Sequence, residues 1–88
     1  MKFTVVWTPS ALNKLANLWM QAEDAQAVTN SANRIERELK FDAHLKGVPL
    51  QQFRALYDDP LAVLYLVKLP DCTAWIIDVN REIGRAHV

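Results

Sequence analysis

Two histidines, one cysteine and the adjacent aspartates Asp58-Asp59 are the first candidates in this sequence for metal, nucleophilic or acid–base chemistry. Their spacing argues against each. His44 and His87 are far apart, and neither has a second histidine or a cysteine at ligand spacing, so a metal centre with three or four donors is not expected. Cys72 follows Pro70-Asp71 in a turn, and nothing nearby supplies the base that a thiol nucleophile needs, so it reads as a small turn residue. Asp58-Asp59 stands directly before Pro60 and reads as a turn former, not as a pair of catalytic carboxylates. Tyr57 and Tyr65 read as packing residues with a polar tip. Trp7, Trp19 and Trp75 read as core or core-edge anchors, because nucleic-acid platforms interleave aromatic with basic residues and no such cluster is present. No cofactor is expected.

Charge and composition narrow the class. Ten Lys and Arg residues balance ten Asp and Glu residues, so no global field draws the chain to phosphate or to an anionic membrane. Any nucleic-acid role needs a local patch. The sequence is 51% hydrophobic and 23% charged, a globular composition too apolar for intrinsic disorder. Its 88 residues suit one domain spanning 1–88, with a tail at 81–88 expected to be extended or disordered. A single cysteine suits a reducing compartment, no apolar run reaches membrane-spanning length, and "MKFTVV" enters a strand pattern without a signal-peptide layout. A soluble, cytoplasmic protein without membrane contact is expected.

The elements follow from periodicity. Phe3 to Trp7 is β-branched and aromatic, as in a strand. Thr8-Pro9 ends it: threonine accepts from the free N–H groups of a helix start, and proline at the first helical position gives up an N–H that has no partner. In the helix that follows, Leu12, Leu15, Ala16 and Trp19 form a stripe, widened by Ala11, Leu18 and Ala22, that is expected to cover a sheet. Asp24 caps a second helix with Val28, Ala32, Ile35 and Leu39 inward, and with Arg34–Glu38 and Glu36–Lys40 at i,i+4 on its solvated face. After Phe41, "DAHLKGVP" reads as a long loop. Gln52 to Tyr57, Leu61 to Lys68 and Thr73 to Val79 read as strands separated by the turns "DDP" and "LPDC". The expected architecture is α+β, in the order β-α-α-β-β-β, with an antiparallel sheet and a helix hairpin packed on one face.

The strand-to-helix segment "WTPSA", the second-helix "RIE", and "FRALYDDPLAVLYLV", an arginine-bearing strand followed by an apolar strand containing "VLY", resemble the RelE/ParE superfamily of small bacterial toxins. The resemblance runs from about Phe3 to Asn80. It implies a toxin of a type II toxin–antitoxin system, with a cognate antitoxin as partner. The activity it implies is either ribosome-dependent mRNA cleavage or inhibition of DNA gyrase. A degenerate member serving as an interaction or regulatory module is the alternative, since fold alone does not choose an activity.

If the chain cleaves mRNA, cationic side chains must gather around the reacting phosphate. Arg54 matches the arginine that relatives carry on the second strand of the sheet. Lys46 in the loop, Arg81 past the last strand, and Arg85 and His87 in the tail are the other candidates. Ala62 stands where many relatives have an arginine, so the cationic set is incomplete and Ala62→Arg is expected to raise cleavage. Arg54 is expected to face the open side of the sheet as a charge stabiliser, or else to pair with a carboxylate such as Asp78. In "LAVLYLVKL", Leu61, Val63, Tyr65 and Val67 fill one face while Ala62, Leu64 and Leu66 make the other apolar too. An antitoxin segment or a second copy, giving a homodimer, is expected on a face carrying Leu64, Leu66 and Ile76.

Overall fold

The computed structural model describes residues 1–81. Strand β1 (Thr4–Trp7) leads into α1 (Pro9–Gln21) and α2 (Ala25–Leu39), followed by a short 3-10 turn at Ala43–Leu45 and strands β2 (Val48–Leu50), β3 (Phe53–Asp58), β4 (Leu61–Lys68) and β5 (Thr73–Arg81). Both helix caps form as the residue types dictate. The Thr8 hydroxyl accepts from the Ala11 amide at 3.2 Å, and the Asp24 carboxylate accepts from the Ala27 amide at 3.1 Å.

The sheet has five strands in the order β1-β5-β4-β3-β2. It is mixed, not wholly antiparallel as the strand grouping suggests, because β1 runs parallel to β5 with Thr4 opposite Thr73 and Trp7 opposite Ile76. The helix hairpin carries the chain from β1 at one edge to β2 at the other, and the meander β2-β3-β4 returns it to β5. The whole segment between β1 and β5 is the long connection that a parallel pair requires. The expected long loop also holds more structure than its composition indicates: after the 3-10 turn it supplies β2, which pairs with β3 through Val48–Ala55 and Leu50–Phe53.

The core lies between the hairpin and one face of the sheet. Val28, Ile35 and Leu39 of α2 meet Leu61, Val63, Tyr65, Ala74, Ile76 and Val79. Ser31 is buried beside them, its hydroxyl donating to the Asp58 carbonyl at 2.5 Å. The α1 stripe divides differently from the expectation. Ala11, Leu15, Leu18 and Ala22 turn to the core, while Leu12 is 50% and Trp19 49% exposed. The i,i+4 pairs expected on α2 give way to longer-range partners: Arg34 holds Asp58, Glu38 meets Lys46, and Glu36 accepts from Trp7. Among the described residues no helix is long and apolar enough to cross a membrane.

Gly47 is required by its place. It has φ +68, and a Cβ there would collide with the Ala55 carbonyl oxygen and lie 3.3 Å from the Tyr65 hydroxyl. Gly47→Ala is therefore expected to lower unfolding free energy by about 2–3 kcal/mol. Urea titration of the variant against the parent chain measures this.

Candidate functional site

The structure separates the cations that the sequence nominates. Arg54 pairs across β3–β4 with Tyr65, not with a residue of the open face. Directly opposed residues point to the same side of a sheet. Tyr65 belongs to the core, so Arg54 lies on the helix-bearing side, which corrects the expectation that it faces outward. Its Nε donates to the Lys46 carbonyl at 2.5 Å. Asp78, the carboxylate considered for it, is held instead by the Lys14 ammonium at 2.7 Å.

The Tyr65 hydroxyl completes this clamp. It lies 2.9 Å from the Ala43 carbonyl oxygen and 2.8 Å from that of Lys46, and it donates its single hydrogen to one of them at a time. Burial pushes the phenol above its ordinary pKa, and the neighbouring Arg54 pulls partly the other way. Lys46 is tied on its other side, where its ammonium donates to the Glu38 carbonyl at 3.1 Å and lies 3.5 Å from the Glu38 carboxylate. Segment 43–47 is thus fastened to α2, β3 and β4 together.

Lys46 and Arg54 are therefore neighbours, but Arg81 is not with them. It pairs with Leu61, four residues along β4 from Tyr65, which places it roughly 13 Å away along the strand direction. Ala62 pairs with Tyr57 and Asn80 on the side opposite Arg54, so an arginine introduced there would point away from Arg54. Arg85 and His87 lie outside the described residues. Among the described residues no group of three histidine, cysteine or acidic side chains comes together.

Three surface features remain. A polar pocket of about 360 Å³ between α2 and β3 holds Arg34, Arg37 and Lys46 with Glu38 and Asp58. Arg34 already binds the Asp58 carboxylate through two nitrogens, at 2.6 and 3.0 Å. Among the described residues, Arg37 alone of these cations has no side-chain hydrogen bond or ion pair. That is little positive charge for a phosphate backbone.

The second feature is an apolar groove of about 480 Å³ between the two helices, walled by Leu12, Trp19 and Met20 of α1 and by Val28 and Ala32 of α2, with Trp7 of β1 also in its lining. Met20 is 70% exposed. The indole nitrogens are satisfied within the groove: Trp7 donates to Glu36 at 2.9 Å and Trp19 to Thr29 at 3.1 Å. This leaves the ring surfaces open, and Glu36 is the one charged residue of the lining among the described residues. Helical periodicity read as a single sheet-facing stripe hides this groove. The excess width of that stripe, seven apolar positions on one helix, is the signal that could reveal it.

The third feature is the open face of the sheet. Leu64 and Leu66 lie on it half-buried, with Trp75 opposite Leu66. Ile76 does not. It pairs with Tyr65 and is 0% exposed, so its expected place in an outer patch is corrected to the core.

No protein-family model matches the chain, and no curated protein matches it by sequence. Solved structures do. The RelBE2 toxin–antitoxin complex from Mycobacterium tuberculosis superposes with a TM-score of 0.75 over 96% of this chain and 95% of that one, at 15% identity. The chromosomal ParDE system from P. aeruginosa gives 0.74 over 93% and 98%, at 16% identity. The fold is that of the RelE/ParE toxins. The intact E. coli RelBE complex agrees, with a TM-score of 0.62 over 93% and 99% at 10% identity. In the RelE/ParE fold of this chain, then, the strand arginine is bound into a loop clamp, and the conspicuous unoccupied surfaces are apolar.

Proposed function

We propose that this chain is the toxin of a type II toxin–antitoxin pair, neutralised by a cognate antitoxin that lays an amphipathic helix in the α1–α2 groove. The observation that supports the partner is the groove itself. From Leu12 to Trp19 it runs along about 10 Å of α1, the length over which a helix presents apolar residues at i, i+3 or i+4, and i+7. The similar folds in RelBE2, ParDE and RelBE come from toxin–antitoxin systems.

For the target, the reading favours contact with DNA gyrase over mRNA cleavage on the ribosome. Phosphoryl chemistry without a metal depends on several cations converging on one phosphate. Here Arg54 is committed to the Lys46 carbonyl, Lys46 to Glu38, and Arg81 stands apart. Lys46, Arg54 and Arg81 are assigned no catalytic role in this reading.

Induced expression in a growth assay, with mRNA integrity and plasmid supercoiling followed in parallel, tests it. The expected result is growth arrest with altered supercoiling and intact mRNA, relieved by the antitoxin from the neighbouring reading frame. Cleaved mRNA that disappears with Arg54→Ala, the fold retained, overturns the choice of target. Undisturbed growth in every assay supports an interaction module without toxicity.

A further inference from the structure

We infer that two copies of the chain associate weakly through the open face of the sheet, on the side away from the helix hairpin. The face is apolar at its centre and self-complementary in charge. Alternation along β4 puts Leu64, Leu66 and Lys68 on it, and the β4–β5 register adds Asp78 opposite Leu64 and Trp75 opposite Leu66. Lys68 lies two residues to one side of Leu66, and Asp78 lies level with a residue two positions to the other side. A two-fold axis in the plane of the interface, across the strands at Leu66, reverses strand direction and brings Lys68 of each copy beside Asp78 of the other. A contact of this kind closes after two copies.

Lys68 is unpaired, and Asp78, although bound by Lys14 of α1, has one oxygen open to a second ammonium. Lys68 is exposed and makes no hydrogen bond or ion pair among the described residues. One oxygen of Asp78 accepts from Lys14 at 2.7 Å and from the Val79 amide at 2.9 Å, so the partner's Lys68 would share the carboxylate through the other oxygen, whose contact to Asn80 is 3.5 Å. Sheets pack face to face at about 10 Å, within reach of a lysine stem.

Size sets the strength. Four strands across and about six residues along, roughly 19 by 20 Å, cover on the order of 400 Å² in plan on each copy. Burying both removes on the order of 800 Å², the range of weak and transient contacts. The surface is distinct from the α1–α2 groove, so it does not depend on the antitoxin reading.

Sedimentation equilibrium of the whole chain, free of any antitoxin, over about 5 to 500 μM decides the matter. A reversible dimer with a dissociation constant on the order of 10–100 μM is expected. Leu66→Lys is expected to weaken it by at least about tenfold, and the exposed change Lys68→Asp by several-fold. Leu12→Glu, in the groove, is expected to leave it unchanged. A monomer throughout the range overturns the inference, and so does a dimer indifferent to Lys68→Asp even where Leu66→Lys fails to fold.

Discussion

Replacing Leu12 and Trp19 together with glutamate is expected to abolish capture of the proposed antitoxin while leaving the chain folded. Both side chains wall the groove and are about half exposed, so neither holds the core together. Large apolar anchors of this kind carry most of an interface's energy, and each is worth about 2 kcal/mol or more when truncated. A buried glutamate adds an unpaired charge, so the double variant should bind at least about a thousandfold more weakly. Isothermal titration of the purified pair measures the loss. Thermal melting of the free variant should stay within about 3 °C of the parent, because the changes touch surface positions. Retained affinity would remove the groove from the antitoxin interface.

Tyr65→Ala is expected to be among the most damaging single changes to stability. Its ring is fully buried in the core cluster, and deleting a buried aromatic side chain costs about 3–5 kcal/mol. That is a large fraction of the total for a small domain. Tyr65→Phe separates packing from polarity. It keeps the ring but removes the donor serving the Ala43 and Lys46 carbonyls, at about 1–2 kcal/mol.

Alkaline titration gives a second readout of the same hydroxyl. Burial raises the Tyr65 pKa in the folded chain, so the folded state holds this proton more tightly than the unfolded one. Its contribution is fully present below the unfolded tyrosine value of about 10 and is lost as pH rises through the folded value. Urea midpoints of the parent should therefore fall above pH 10 by more than those of Tyr65→Phe. Parallel curves for the two proteins would contradict the placement of the phenol.

Several features of the site were within reach of the sequence through its turns. The two-residue turn Asp59-Pro60 sets Asp58 opposite Leu61, and counting back from there places Arg54 opposite Tyr65. The four-residue turn "LPDC", closed by the Cys72 amide on the Leu69 carbonyl at 3.0 Å, sets Lys68 opposite Thr73 and hence Ile76 opposite Tyr65. Reading each strand by its own alternation leaves the face unassigned, because a shift of one residue moves every side chain to the other side. Arg54 and Ile76 are the two residues misplaced in that way. Carrying the register across β4 corrects both, although the shift between Leu64 and Tyr65 limits the count to the turn side of β5.

The signals legible along the chain are local. Thr8-Pro9 and Asp24 start the helices where the free N–H groups need an acceptor, the four-three-four spacing on α2 turns Val28, Ala32, Ile35 and Leu39 toward the core, and the turns divide the strands. The parallel pairing of β1 with β5, the use of α1 on two sides, and the capture of Arg54 and Tyr65 by segment 43–47 emerge when the chain closes on itself. Each of these joins residues far apart in the chain. A cap or a turn is settled by a few neighbouring dihedral angles and one hydrogen bond, whereas a strand pair or a clamp is settled by which distant groups are left without partners once the core has closed.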